Sequence, residues 1–204
     1  MAIGGAVAVG KSTLAATLAE RLAPQRVAVV ATDGFLLPNA ELSARGLLAK
    51  KGFPESYDAA AMAGFVADLR AARPASVPVY SHATYDRVPG EVQVIEGVDV
   101  VIVEGVNALQ PELADGADLA IYLDADEPLV RSWYVERFLE QIAAAEADET
   151  SFYRGFTSLD DAGRRAMAES VWEAVNLVNL VDHIEPTRER AHLVVVKGEG
   201  HRLC

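Results

Sequence analysis

Gly5-Ala6-Val7-Ala8-Val9-Gly10-Lys11-Ser12-Thr13 decides how the rest of this chain is read. Gly5 and Gly10 enclose a short loop, and Lys-Ser follows in register. In such a loop the backbone N–H groups turn inward on a polyphosphate, the lysine ammonium reaches the β- and γ-phosphates, and the serine hydroxyl ligates Mg²⁺. The loop runs into the helix-forming stretch 12–22, whose N-terminal dipole favours an anion. A flexible glycine turn before a helix would account for the glycines but not for Lys11 and Ser12 in register. The expectation is a nucleoside triphosphate such as ATP, held by Gly5 to Thr13, with Mg²⁺ at Ser12.

The chain has 204 residues, 51% of them hydrophobic, which suits one ordinary globular domain over 1–204 with a sizeable core. Thirty acidic residues against 18 basic ones give a net charge of −12. A surface that acidic argues against nucleic acid as a partner, since phosphate backbones need basic patches. The one cysteine is Cys204, so no intrachain disulfide can form and a reducing compartment fits. Residues 1–25 carry no basic segment ahead of an apolar one, and no apolar run is long enough to span a bilayer. These observations predict a soluble, cytoplasmic protein with no membrane partner.

Short β-branched runs alternate with longer helical patterns. Strands are expected at 27–31, 98–103, 119–123 and 193–196, nearly continuous in apolar character, as for strands buried on both faces of a parallel sheet. Helices are expected at 12–22, 58–72, 127–146 and 159–180. Asp126 with Glu127-Pro128 marks one helix start, and Ser158 with Asp161 reads as a capping box for the last. The alternation predicts a doubly wound α/β fold with ligands at the carboxyl ends of the strands. Only Met1 to Gly4 precede the loop, so either the first strand is very short or the natural protein begins upstream of Met1.

Asp33, in Thr32-Asp33-Gly34-Phe35, follows the second strand and so sits next to the phosphate loop. A carboxylate there can accept the proton of an alcohol attacking the γ-phosphate. Asp-Gly is also a common turn pair, and an acid at this distance holds a ribose hydroxyl in dinucleotide-binding folds, although those need a different glycine pattern. Glu104-Gly105 closes an apolar strand, placing its acid to hold a water on Mg²⁺, or it simply ends the strand in a turn. Trp133, Tyr134 and Arg137 share a helix face, which suits a lid over a transferring phosphoryl group but also an ordinary core stripe. Trp172, Asn176 and Asn179 share a face of the last helix, where a buried amide needs hydrogen-bond partners from a polar substrate or from the core.

Taken together, these residues resemble the bacterial type I pantothenate kinases, P-loop kinases related to uridine kinase and phosphoribulokinase. The likeness spans almost the whole chain. It rests on Gly5–Thr13, Thr32–Pro38 (TDGFLLP), Arg45-Gly46-Leu47, Lys50–Asp58 (KKGFPESYD), Pro78–Asp86 (PVYSHATYD), Glu104–Gln110 (EGVNALQ), Trp133–Leu139 (WYVERFL) and Thr187–Ala191 (TRERA). KKGFPESYD and PVYSHATYD are closer to pantothenate kinases than to uridine kinases.

The resemblance implies a three-layer P-loop NTPase-type fold, with a mostly parallel sheet flanked by helices and a helical lid at about 127–158. It implies ATP-dependent phosphorylation of pantothenate on its primary hydroxyl, the entry to coenzyme A. A kinase for a nucleoside or sugar hydroxyl, or a non-catalytic nucleotide-binding homologue, are the alternatives. By matched position Lys11 and Ser12 handle phosphates and Mg²⁺ and Asp33 is the base. Arg137 steadies the transferring phosphate, and Tyr80, His82, Tyr134 and Asn176 line the pantothenate pocket. Lys197 and His201 lie near the adenine. Coenzyme A feedback inhibition and a homodimer are further family expectations. The chain departs from the family in lacking its long N-terminal extension and in a shorter stretch between Gln110 and Asp118. It also carries Glu140-Gln141-Ile142 where basic and aromatic residues are usual, and Ser151-Phe152-Tyr153 where the family has Ser-Tyr-Phe.

Overall fold

A computed structural model describes residues 1–203; Cys204, and with it the reading of the chain's one cysteine, lies outside the described residues. The main sheet runs β2-β5-β1-β6-β7, where β1 is Ala2–Gly5, β2 Val27–Ala31, β5 Val100–Glu104, β6 Ala120–Asp124 and β7 Leu193–Val196. Every pairing in it is parallel. The first strand is indeed very short, at four residues, yet it is the central one. Ala2 pairs with Val103 on one side and Ala120 on the other, so its ladder is satisfied along both edges.

Alternate residues of the strands feed two cores. Ile3, Ile102 and Ile121 pack with Ala15, Leu14 and Leu18 of α1 (Lys11–Arg21). Ala2, Ala120 and Tyr122 pack on the other face with Val130, Trp172, Leu180 and Ile184. This period-two alternation with apolar residues on both sides is why the strands read as continuous hydrophobic runs. It also makes the fold a three-layer α/β sandwich.

After β2 the chain turns through Thr32–Phe35, then α2 (Asn39–Ala44), to α3 (Ala59–Arg70). Asp58 caps α3 by accepting from the Ala61 N–H at 2.9 Å, and Phe65 meets Phe35 edge-on at 5.4 Å. There follows a feature the sequence reading did not contain: an antiparallel hairpin of β3 (Ala75–Ser81) and β4 (Asp86–Ile95), separate from the main sheet. Pro78 and Pro89 lie within it, and its register shifts between Pro78 and Tyr80. Those features disguise the strand alternation.

The short α4 (Pro111–Ala114) precedes β6, and α5 (Glu127–Ala145) follows it with Pro128 in its first turn. α6 (Asp161–Val171) starts at Asp160, not at Ser158: the Asp160 carboxylate accepts from the Gly163 N–H at 2.8 Å. The helix then continues past residue 180 by widening into π turns at Trp172–Asn176 and Leu180–Ile184, on either side of α7 (Leu177–Asn179). Such widened turns are frequent at functional sites. Phe138, Ile142, Tyr153 and Ala168 form a small core of their own between α5 and α6. Among the described residues, no helix is long and apolar enough to cross a membrane.

Candidate active site

The loops after β1, β2 and β5 open at the carboxyl end of the sheet into a cleft of about 560 Å³. This is where a switch in strand order leaves a crevice. The phosphate loop forms its floor. Gly5 has φ +141, and a Cβ there would stand 2.2 Å from the Leu123 carbonyl oxygen. Gly10 has φ +100, with the Lys197 ammonium 2.7 Å from its Cβ position. Gly5 is required by both backbone conformation and space, and Gly10 by its backbone conformation, since the end of the Lys197 side chain can shift.

Lys11 is buried, and its ammonium donates to the Ala6 carbonyl at 2.7 Å, within its own loop. Burial pulls the Lys11 pKa down to about 8, against the opposing pull of Glu104 and Asp33 and with the repulsion of Arg137. Ser12 Oγ donates to Glu104 Oε1 at 2.9 Å, so the hydroxyl after the lysine and the acid ending β5 meet over the loop. Asp33 borders the same cleft, and its carboxylate lies 3.6 Å from His82 Nε2 at the hairpin tip. Lys11, Ser12, Asp33 and Glu104 are thus brought together from three separate segments: the start of α1, the turn after β2 and the end of β5.

The other half of the cleft is aromatic and cationic. Tyr80, His82, Tyr134, Arg137 and Asn176, the residues given by family resemblance, all line it. Burial pushes the Tyr134 hydroxyl up to about 12 and the Tyr80 and Tyr85 hydroxyls higher still, so all three stay neutral hydrogen-bonding groups. Trp172 is not part of this wall. It is fully buried, with its indole N–H on Glu127 at 3.0 Å. Trp133 reaches the cleft from α5, stacked on His201 at 4.8 Å and carrying the Lys197 ammonium 4.6 Å from its ring centre. Lys197 itself is tucked under the loop, donating to the Val9 carbonyl at 2.7 Å. His201 borders the cleft beside it.

Several cleft residues escaped the sequence reading as individuals. Lys51 is buried beneath the rings of Tyr85 and Tyr80, at 4.4 and 5.0 Å, and donates to Asn39 Oδ1 at 2.6 Å and to the Tyr85 carbonyl at 2.5 Å. Burial lowers its pKa to about 8, against the attraction of Asp86 and Asp33. Tyr85 and Tyr153 also line the cleft. The swapped Ser151-Phe152-Tyr153 order still delivers a phenol to the wall, while Phe152 stacks outside on Tyr85 at 4.6 Å. The one available signal for Lys51 was its place within KKGFPESYD, because nothing in periodicity marks a lysine in a short irregular turn.

The model of the phosphoribulokinase/uridine kinase family matches residues 1–141. A pantothenate kinase of Shewanella amazonensis is 46% identical over all of this chain and 70% of its own length. One of Rhodopseudomonas palustris is 47% identical over 98% of this chain and 68% of its own. Among solved structures, a chain from Silicibacter sp. TM1040, described as a candidate fructose transport system kinase, superposes with a TM-score of 0.77 at 27% identity, covering 95% of this chain and 87% of that one. The phosphoribulokinase of Rhodobacter shares the fold at a TM-score of 0.56 and 12% identity, over 96% of this chain and 69% of its own. With its phosphate loop at the head of a parallel sheet and its acids at the ends of β2 and β5, this chain belongs to the phosphoribulokinase/uridine kinase family and, within it, to the pantothenate kinases.

Proposed function

We propose that the protein transfers the γ-phosphoryl group of ATP to the primary hydroxyl of pantothenate. The observation that carries this reading is the placement of Asp33 in one open cleft with the phosphate loop on one side and the cation-bearing aromatic wall on the other. Asp33 takes the hydroxyl proton as the alcohol oxygen bonds to the γ-phosphorus. The bond to the β-phosphate oxygen breaks, and ADP leaves. Lys11 and the loop N–H groups hold the phosphates, and Arg137 on α5 faces the charge that builds on the transferring group. Lys51, a buried cation among neutral phenols, suits an oxygen of the acceptor, while Tyr80, His82, Tyr134 and Asn176 line its chain. Trp133, Lys197 and His201 form the base end of the nucleotide site.

Ser12 and Glu104 offer paired hard oxygen donors beside the phosphates, which fits Mg²⁺. When bound there, the ion would neutralise phosphate charge. Residues from about 127 to 158 act in this reading as the lid of a single kinase domain. Feedback inhibition by coenzyme A and a homodimer belong to the same reading and rest on the family likeness; a cytoplasmic location rests on composition.

The likeness to the Silicibacter protein favours a sugar as the second acceptor class. ADP release from ATP and Mg²⁺ with pantothenate, uridine and fructose in parallel decides between them. Turnover on pantothenate is expected. Turnover confined to uridine or fructose overturns the assignment, and tight ATP binding with no turnover on any acceptor returns the non-catalytic homologue.

A further inference from the structure

Two asparagine amides from distant parts of the chain converge on one backbone oxygen. Asn107 Nδ2 donates to the Gly52 carbonyl at 2.8 Å, and Asn179 Nδ2 donates to the same oxygen at 2.9 Å. Both side chains are buried, Asn107 at 1% exposure and Asn179 at 6%. The Gly52 N–H is fastened as well: it donates to Ser56 Oγ at 2.9 Å, and that buried hydroxyl donates onward to the Phe53 carbonyl at 2.7 Å. Gly52 is therefore held on both of its peptide faces by residues from three segments.

The arrangement has a cost. Asn179 Oδ1 is buried and has no partner among the described residues. An amide that turns its nitrogen to a carbonyl must turn its oxygen away, and a leucine of similar shape would leave no orphaned acceptor. A buried polar group kept at such a cost needs a use for its donor.

The residue next to Gly52 is Lys51. A lysine ammonium ends a flexible four-carbon stem, so its reach to Asn39 Oδ1 and the Tyr85 carbonyl depends on where its Cα is fixed. Asn107 stands in the loop that leaves β5 after Glu104, on the nucleotide side. Asn179 stands one turn beyond Asn176, on the acceptor side. We infer that Asn107 and Asn179 are positioning residues: through the Gly52 carbonyl they set Lys51 relative to Asp33 and the phosphate loop, and so tune the grip on the acceptor. The inference rests on the reading that places the acceptor against Lys51.

Steady-state kinetics with ATP and pantothenate test it, using Asn179→Leu, Asn107→Ser, Lys51→Met and the double variant Asn179→Leu/Lys51→Met. Asn179→Leu is expected to raise the pantothenate KM roughly 10-fold or more, the scale of a small misplacement, with the ATP KM unchanged. Its thermal midpoint should stay equal or rise, because the orphaned acceptor is gone. In the Lys51→Met background the same substitution should add nothing further to the pantothenate KM. An Asn179→Leu protein with a lowered midpoint and an unchanged pantothenate KM overturns the inference, and so does an effect that persists in full without Lys51. If Asn179→Leu does not fold, Asn107→Ser carries the same comparison. Should Lys51→Met itself leave the pantothenate KM unchanged, the acceptor reading falls and takes the inference with it. A raised KM in Lys51→Met with none in either asparagine variant sinks the inference alone.

Discussion

Replacing Lys11 by Met should make the nucleotide-free protein more stable while abolishing its chemistry. The Lys11 ammonium is buried in the loop, and its pKa falls from 10.5 to about 8 with burial as the largest cause. A displacement of that size means that the charged side chain destabilises the empty protein by about 3 kcal/mol at neutral pH. Methionine keeps the stem and discards the charge. Losing the donation to the Ala6 carbonyl returns about 1 kcal/mol, so the net gain is about 2 kcal/mol. For a chain of this length that corresponds to a midpoint rise of about 4–8 °C.

The pH dependence carries a definite sign. The unfolded chain keeps the Lys11 proton up to its ordinary value, whereas the folded protein gives it up near pH 8. Between those values the unfolded state binds more protons, so the wild-type protein gains stability as pH rises there. Below pH 8 the full penalty is present, and the gap between variant and wild type should close progressively above it. Lys51 titrates with the same sign in both proteins and cancels from the difference. Urea unfolding of both proteins without nucleotide, at pH 7 and at pH 10, reads this directly. A variant less stable than wild type at pH 7, or a gap that does not change with pH, refutes the argument. Added ATP should raise the wild-type midpoint far more than that of the variant.

Asp33→Asn is expected to lower turnover about 10²–10⁴-fold, as for loss of a general base, while ATP still stabilises the protein in a thermal shift; near wild-type turnover would remove Asp33 from the role. Glu104→Gln leaves the shape of the Ser12 contact but halves its electrostatic strength. The Mg²⁺ concentration for half-maximal rate should climb about 10–100-fold, and an unchanged Mg²⁺ titration would dissociate Glu104 from the ion. Gly5→Ala forces a Cβ to 2.2 Å from the Leu123 carbonyl oxygen at φ +141. It should cost about 3 kcal/mol or more in denaturant unfolding, and a neutral result would mean that the loop can be rebuilt.

The sheet and the phosphate end of the site were legible because they follow strong local rules. The continuous apolar runs at β2, β5, β6 and β7 sit within two residues of their observed positions, and Lys11, Ser12, Asp33 and Glu104 are fixed by the strands that precede them. The acceptor end was legible mainly through family likeness. Lys51, Tyr85 and Tyr153 arrive from an irregular turn, a hairpin tip and a single helical turn, and only tertiary contact brings them together. The hairpin eluded the periodicity because Val92 and Val94 are exposed while proline interrupts both of its strands. Trp172 shares a helix face with Asn176 and Asn179 in the sequence, a spacing that left substrate and core both open; its bulky indole, with a partner in Glu127, lies in the core.

The strand that leads into the phosphate loop stands first in the chain order, but its hydrogen-bonding neighbours Val103 and Ala120 lie in the second half of the sequence. Closing such distant pairings is slow relative to local helix formation. The catalytic loop therefore acquires its shape only once β5 and β6 are available to flank it. A nascent or truncated polypeptide ending before Asp124 would display the signature residues without their geometry, and nucleotide would have little to hold.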